Sequence, residues 1–155
     1  MPRASRFLCA LWLTAVLAAC SGDGQIPEEQ IRQFIDAGVD AAENRSVDRV
    51  GEQLHSNYLD QKGHNKKQLL TLLRGLFFRH RDIYLFTRIG DIELLSDSEA
   101  IVKLHVAMAG SAISDIDALA RLRADLYEFE LHLIKGDEWQ AQHAKWRRAS
   151  LADFE

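Results

Sequence analysis

Tyr58 and Asp60 stand two residues apart and are of the types that proton chemistry uses. A carboxylate can abstract a proton, and a phenol can donate a hydrogen bond to the oxyanion that forms. By type alone Asp36, Asp40, Tyr84 and Tyr127 could join them. The plainer reading makes Tyr58 and Asp60 part of a loop closed by hydrogen bonds, and Tyr127 a cross-strand partner of Trp146. Six histidines invite a metal. His55, His64 and His80 lie in or near connections, whereas His105, His132 and His143 fall in alternating, strand-like segments. His132, His143 and Glu130 would share one face and offer three donors there, on a face open to water. Ordinary polar surface is the favoured reading, and no metal or other cofactor is expected. The sequence contains no G-x-S-x-G, H-E-x-x-H, phosphate-cradling glycine loop or C-x-x-C, so no residue is assigned a catalytic role.

Charge gives a different lead. The chain has 155 residues and a net charge of -4, with two cysteines, which excludes a disulfide scaffold and argues against nucleic acid as a partner. That average hides an asymmetry. Residues 61–90 carry seven basic side chains against Asp82, and residues 91–138 carry eleven acids against four bases. The two segments could neutralise each other across the surface. Alternatively, Lys62, Lys66, Lys67, Arg79 and Arg81 form a basic patch for an anionic protein or polymer.

The elements that must position these residues follow from periodicity. Pro27 with Glu28 and Glu29 opens a helix to Arg45, with Ile31, Phe34, Ile35, Val39 and Ala42 along one stripe. Ser46 would cap a short helix from Asp48 to Leu54, and Tyr58, Leu59 and Asp60 would lie in a loop ending at Gly63. Asn65 with Gln68 has the form of a capping box before a helix so apolar that it should be the most buried element. Ile83 to Leu94 and Ala100 to Ala109 then alternate as strands, and Gly110 to Leu119 makes a polar connection. Arg121 to Lys135 and Trp139 to Arg148 form a hairpin about a two-residue Gly136-Asp137 turn. That turn would set Lys135 against Glu138, Tyr127 against Trp146, Phe129 against Ala144, Glu128 against Lys145 and Glu130 against His143. The expected class is α+β, with three N-terminal helices packed on a curved antiparallel sheet of about four strands.

The N-terminus reads separately. Arg3 and Arg6 precede an uncharged run from Phe7 to Ala19, too short to span a bilayer, which is the pattern of a secretory signal. Leu17-Ala18-Ala19-Cys20 followed by Ser21-Gly22-Asp23-Gly24 resembles the lipobox of bacterial lipoproteins. The resemblance implies a signal peptide over residues 1–19, lipidation of Cys20, and a short tether over residues 20–26. With Ser21 rather than aspartate after the cysteine, it implies the outer membrane, facing the periplasm. Loss of the first 19 residues, with Cys9, Arg3 and Arg6, would leave 136 residues at net -6, 17 basic against 23 acidic. Anchoring of so acidic a chain should then be lipid-driven and insensitive to salt.

The order of elements from Pro27 to Ala149, with the Tyr58-x-Asp60 loop, Gly63, an apolar third helix, and Trp139 and Trp146 in the last strand, resembles the nuclear transport factor 2-like superfamily. This SnoaL-like, cystatin-like group includes ketosteroid isomerase and polyketide cyclases. The resemblance implies one cone-shaped domain over residues 27–150, a tail over 151–155, and a pocket between sheet and helices with Tyr58, Asp60 and Tyr84 at or near its mouth. It also makes a homodimer through the sheet an expected form of association. The leading expectation is a non-catalytic module that binds a ligand or a protein. The alternatives are a small isomerase or cyclase, and an inhibitor of the immunity type.

Overall fold

Helix α1, Pro27–Glu43, begins where proline lacks an N–H that would have no partner anyway, and its stripe buries Ile31, Ile35 and Ala41. It ends two residues before the expected Arg45, which takes a left-handed φ of 53° and turns the chain. The hydroxyl of Ser46 accepts from the Arg49 N–H and starts α2, Val47–Glu52. These and the following elements are those of a computed structural model that describes residues 26–122 and 124–154. The expected signal peptide, Cys20 and the tether before Ile26 lie outside the described residues.

Leu54–Asp60, expected to run from the end of a helix into a loop, is a strand, β1. Its alternation is obscured by His55, Ser56 and Asn57, and a register irregularity lies between Leu54 and Leu59. It is held from outside, in parallel with the last strand, through Leu54 opposite Ala141 and Asp60 opposite Ala144.

Helix α3, Lys66–Arg79, has the expected capping box, with Asn65 and Gln68 satisfying each other's backbone N–H groups. It is not the most buried element. Only Phe77 is buried, while Leu72 is half exposed and Phe78 is 91% exposed. The helix packs on α2 and β1 at the rim of the sheet, so only one of its sides has anything to cover it.

Strands β2 (Tyr84–Ser96) and β3 (Glu99–Ala109) follow as expected. The connection after them folds into a short helix α4, Ile116–Arg121, before β4 (Asp125–Lys135) and β5 (Trp139–Arg148). The five-stranded sheet has the order β1-β5-β4-β3-β2 and is mixed rather than antiparallel, because β1 runs parallel to β5. The β4–β5 turn has three residues, since Lys135 opposes Trp139, not Glu138. A further irregularity between His132 and Leu133 moves the register again. From Tyr127 to His132 the two shifts together amount to two residues, so the faces expected from alternation survive there while every partner changes; nearer the turn the single shift brings Trp139 and Ala141 to the core side. Tyr127 opposes Arg148, Phe129 opposes Trp146, Leu131 opposes Ala144, Glu128 opposes Arg147, Glu130 opposes Lys145, and His132 opposes His143 directly.

Two apolar clusters lie on opposite faces of the sheet. The larger joins Ile31, Ile35, Leu54 and Tyr58 to Val102, Leu104, Leu133, Trp139, Ala141 and Ala144. The smaller is built on Ala107, Leu119 and Phe154, with Phe86, Ile116 and Leu126 against them. Residues expected as a tail thus form a packed turn, Leu151–Phe154, in which Phe154 is fully buried, 6.4 Å from Phe86 and 5.5 Å from the His105 ring.

Candidate functional site

Between α1 and the concave face of the sheet lies a cavity of about 300 Å³. Phe34, Ile35 and Val39 form its helical wall, and Leu85, Leu104, Val106, Met108, Phe129 and Leu131 form the floor. Room exists because several facing positions are small. Gly38 lies on the helix, where a Cβ would come within 2.8 Å of the Gln53 side-chain oxygen, and Ala141 and Ala144 lie on β5. The few polar groups come from Gln53, Tyr58, Thr87 and Tyr127, and Gln53 Nε2 is already committed to the Phe34 carbonyl at 2.9 Å. Among the described residues that line the cavity there is no carboxylate and no imidazole. Tyr58 is 4% exposed; burial, and secondarily the charge of Asp60, push its phenol up to about 12. It therefore keeps its proton and can offer it to a hydrogen-bond acceptor.

Asp60 is not part of this lining. Its side chain is fully buried beneath the turn that follows β1, where Oδ1 accepts from the Lys62 N–H at 2.8 Å and the His64 N–H at 2.9 Å. Oδ2 lies 2.9 Å from His64 Nδ1, and Gly63 adopts a φ of 83° to close the loop. Burial alone would raise the Asp60 carboxyl, but the hydrogen bonds from His64 and Lys62 outweigh it and hold the group below its ordinary value. Tyr58 and Asp60, adjacent in the sequence pattern, thus serve two different places.

The remaining candidates are dispersed. Tyr84 starts β2 at the surface and does not line the cavity. Asp36 is exposed, and Asp40 is held by Arg49 and by Asn44. Tyr127 borders the cavity with the Arg148 guanidinium 5.4 Å from its ring centre. His132 and His143 meet edge to face at 5.8 Å, and Glu130 accepts from His132 at 3.0 Å and Lys145 at 3.1 Å, which keeps its carboxyl below the usual range. No group of three or more histidines, cysteines, aspartates or glutamates among the described residues is placed to hold a metal ion.

The five basic candidates do not form one patch. Lys62 lies over the Trp146 ring at 5.5 Å, and Lys66 donates to the Leu54 carbonyl at 2.7 Å. Lys67 is exposed near the start of α3, and Arg79 and Arg81 are exposed at and beyond its end, about 20 Å away at 1.5 Å per residue. The ion pairs among the described residues join other groups, so the basic segment and the acidic sheet do not neutralise each other by direct contact.

A wider cleft of about 660 Å³ opens between α1, α2 and the β4–β5 turn. Its walls are of mixed charge and partly bonded to one another, as in Lys135 Nζ to Gln30 Oε1 at 2.6 Å. It is larger than the concave cavity, but it lacks apolar enclosure, which makes the smaller hollow the better ligand site. Sequence reasoning reached much of that hollow's lining, with Phe34, Ile35 and Val39 on the stripe of α1 and Tyr58 and Tyr127 among the candidates, but not the hollow itself. The alternation of Ala100 to Ala109 also sets Leu104, Val106 and Met108 on one face, whereas the small residues opposite them give no signal of a void.

No family model matches the sequence, and no curated protein does. Solved structures do. A protein assigned as a scytalone dehydratase from Novosphingobium aromaticivorans superposes with a TM-score of 0.66 at 13% identity, over 79% of this chain and 84% of that one. A domain with a cystatin-like fold from Nostoc punctiforme gives 0.60 at 16% identity, over 79% and 77%. Nuclear transport factor 2-like proteins from Shewanella oneidensis and Cytophaga hutchinsonii superpose with TM-scores of 0.58 and 0.59. The chain has the nuclear transport factor 2-like fold. A ketosteroid isomerase-like protein from Erwinia carotovora shares it, with a TM-score of 0.58 at 14% identity over 81% of this chain and 99% of that one. At these identities the likeness is one of fold, and the apolar cavity described above lies between the first helix and the sheet of that fold.

Proposed function

We propose that this protein is a non-catalytic binding module whose concave cavity takes a small apolar ligand, and that a lipid on Cys20 holds it at the outer membrane, facing the periplasm. The observation that carries the ligand reading is the lining of the cavity: a hollow walled by aliphatic and aromatic side chains, with one buried phenol to orient a guest. Two structural neighbours are named for a dehydratase and an isomerase. Proton transfer of that kind needs an acid or base within hydrogen-bond reach of the substrate, and the described lining offers no carboxylate or imidazole, only the hydroxyls of Tyr58, Tyr127 and Thr87 and the amide of Gln53. The anchor reading rests on Leu17-Ala18-Ala19-Cys20 and the basic, apolar run before it.

Filling the hollow tests the ligand reading. Val106→Phe should lower affinity for the neutral apolar fluorophore N-phenylnaphthylamine at least about tenfold, roughly 1.4 kcal/mol, with the circular dichroism unchanged. Equal binding by a folded Val106→Phe protein would sink the proposal. For the anchor, Cys20→Ala should abolish both cleavage and lipid labelling. A processed, membrane-bound Cys20→Ala protein would show that the lipobox reading is wrong.

A further inference from the structure

We infer that the outer face of α3 docks on an anionic lipid bilayer. The inference stands apart from the cavity and does not need it. Helix α3 contains no acidic residue, and its exposed cations Lys67, Arg74 and Arg79 have no carboxylate within ion-pair distance among the described residues. Lys67, Thr71, Arg74 and Phe78 are spaced four, three and four apart, so they form one row on the helix, and all four are exposed. Phe78 is the most exposed large apolar side chain described, at 91%, and half-exposed Leu72 lies on the neighbouring row with Arg79.

The surface has hollows for headgroups as well. One shallow cleft of about 700 Å³ on the Ser56 side of α3 is lined by Lys66, Lys67, Arg74 and Asn65, with Leu70 behind them. A second, of about 510 Å³, lies toward Thr71 and Leu72.

Cations attract anionic phosphates, and an aromatic ring among them gains by leaving water for the acyl boundary, which is the composition of helices that lie in a membrane interface. A protein partner would match a cluster of apolar groups better than this face provides. Phe78 shares its row with Thr71 and two cations, an arrangement that dips a single ring beneath a plane of phosphates. Each cation near an anionic surface strengthens binding about fivefold, and salt screens the gain. Attachment of the domain would therefore have a salt-sensitive component that the net charge of the chain conceals.

The test places the photoreactive analogue p-benzoylphenylalanine at position 78 of the full chain, reconstituted with vesicles of phosphatidylcholine alone or with a third of phosphatidylglycerol. Irradiation should give at least about fivefold more lipid adduct in the anionic vesicles. The excess should vanish in molar salt and in the K67E/R74E/R79E background. The same probe at exposed Asp97, in the β2–β3 turn, should label lipid weakly in both. Equal adduct at 78 in the two vesicle types, survival of the excess in the triple variant, or equal labelling from 97 would overturn the inference. So would irradiation in intact cells that yields adducts at 78 with protein only, which would make the occupant an acidic protein or a second copy.

Discussion

Replacing Asp60 by alanine should destabilise the domain by about 3 kcal/mol, and by asparagine about 1 kcal/mol. The carboxylate accepts two backbone N–H groups and faces one imidazole nitrogen, all within 2.9 Å, and its side chain is out of contact with water. Each hydrogen bond to a charged group is worth roughly 1.5–3 kcal/mol, but the freed donors of Lys62 and His64 are near the surface and can be rehydrated, so the sum is discounted by about half. Asparagine keeps an oxygen for both backbone donors and loses the charge.

Urea unfolding followed by circular dichroism reads the difference. With a slope of about 2 kcal/mol per molar, the alanine variant should unfold about 1.5 M earlier. The pH dependence gives a second check. Because the folded carboxyl lies below its ordinary value, its contribution is complete above about pH 4 and is lost as pH falls through the lower, folded value. The gap between wild type and Asp60→Asn should therefore close in acid. An alanine variant within about 0.5 kcal/mol of wild type, or a gap that widens in acid, would refute the assignment of Asp60 as the clasp of this turn.

Other changes test the remaining architecture. Phe154→Ala removes a fully buried ring and should cost about 3 kcal/mol, read as a fall in urea midpoint, whereas a disposable tail would leave the midpoint unmoved. Asn65→Ala removes the side-chain oxygen that accepts from the Gln68 N–H, leaving only the Asn65 backbone N–H to Gln68 arm of the α3 capping box, and should cost about 1 kcal/mol in the same assay. Tyr58→Phe should leave the fold intact and weaken ligands that carry a hydrogen-bond acceptor, while N-phenylnaphthylamine should bind as before, by fluorescence titration.

Much of the fold was legible because local rules and tertiary demands agree. The stripe of α1, the Ser46 cap, the Asn65–Gln68 box and the alternation of β3 each carry their own signal. Strand β1 does not, since its partner lies at the other end of the sequence and its middle residues are polar. Leucines and phenylalanines in α3 suggested a buried helix, yet burial depends on what packs around an element, and here the rim of the sheet leaves Phe78 uncovered. The hairpin shows how a register can be wrong in every pair while the faces from Tyr127 to His132 are right, because beyond the second irregularity two single-residue shifts restore the parity. The candidate site was only partly readable. Tyr58 was recognisable by type, but a cavity is made by the absence of side chains, and Gly38, Ala141 and Ala144 become meaningful only once they face one another.

The parallel pairing of β1 with β5 has a kinetic consequence. Leu54 and Ala141 are partners 87 residues apart, so the sheet is closed by its most distant contact. Strands β2 to β5 can zip together in the order of synthesis, each meeting its neighbour as it emerges. The segment from α1 to β1, made first, has no sheet edge to join until Arg148 has left the ribosome or, for an exported chain, the translocon. A chain stopped anywhere before β5 would present Leu54 and Tyr58 to chaperones and proteases rather than to a core.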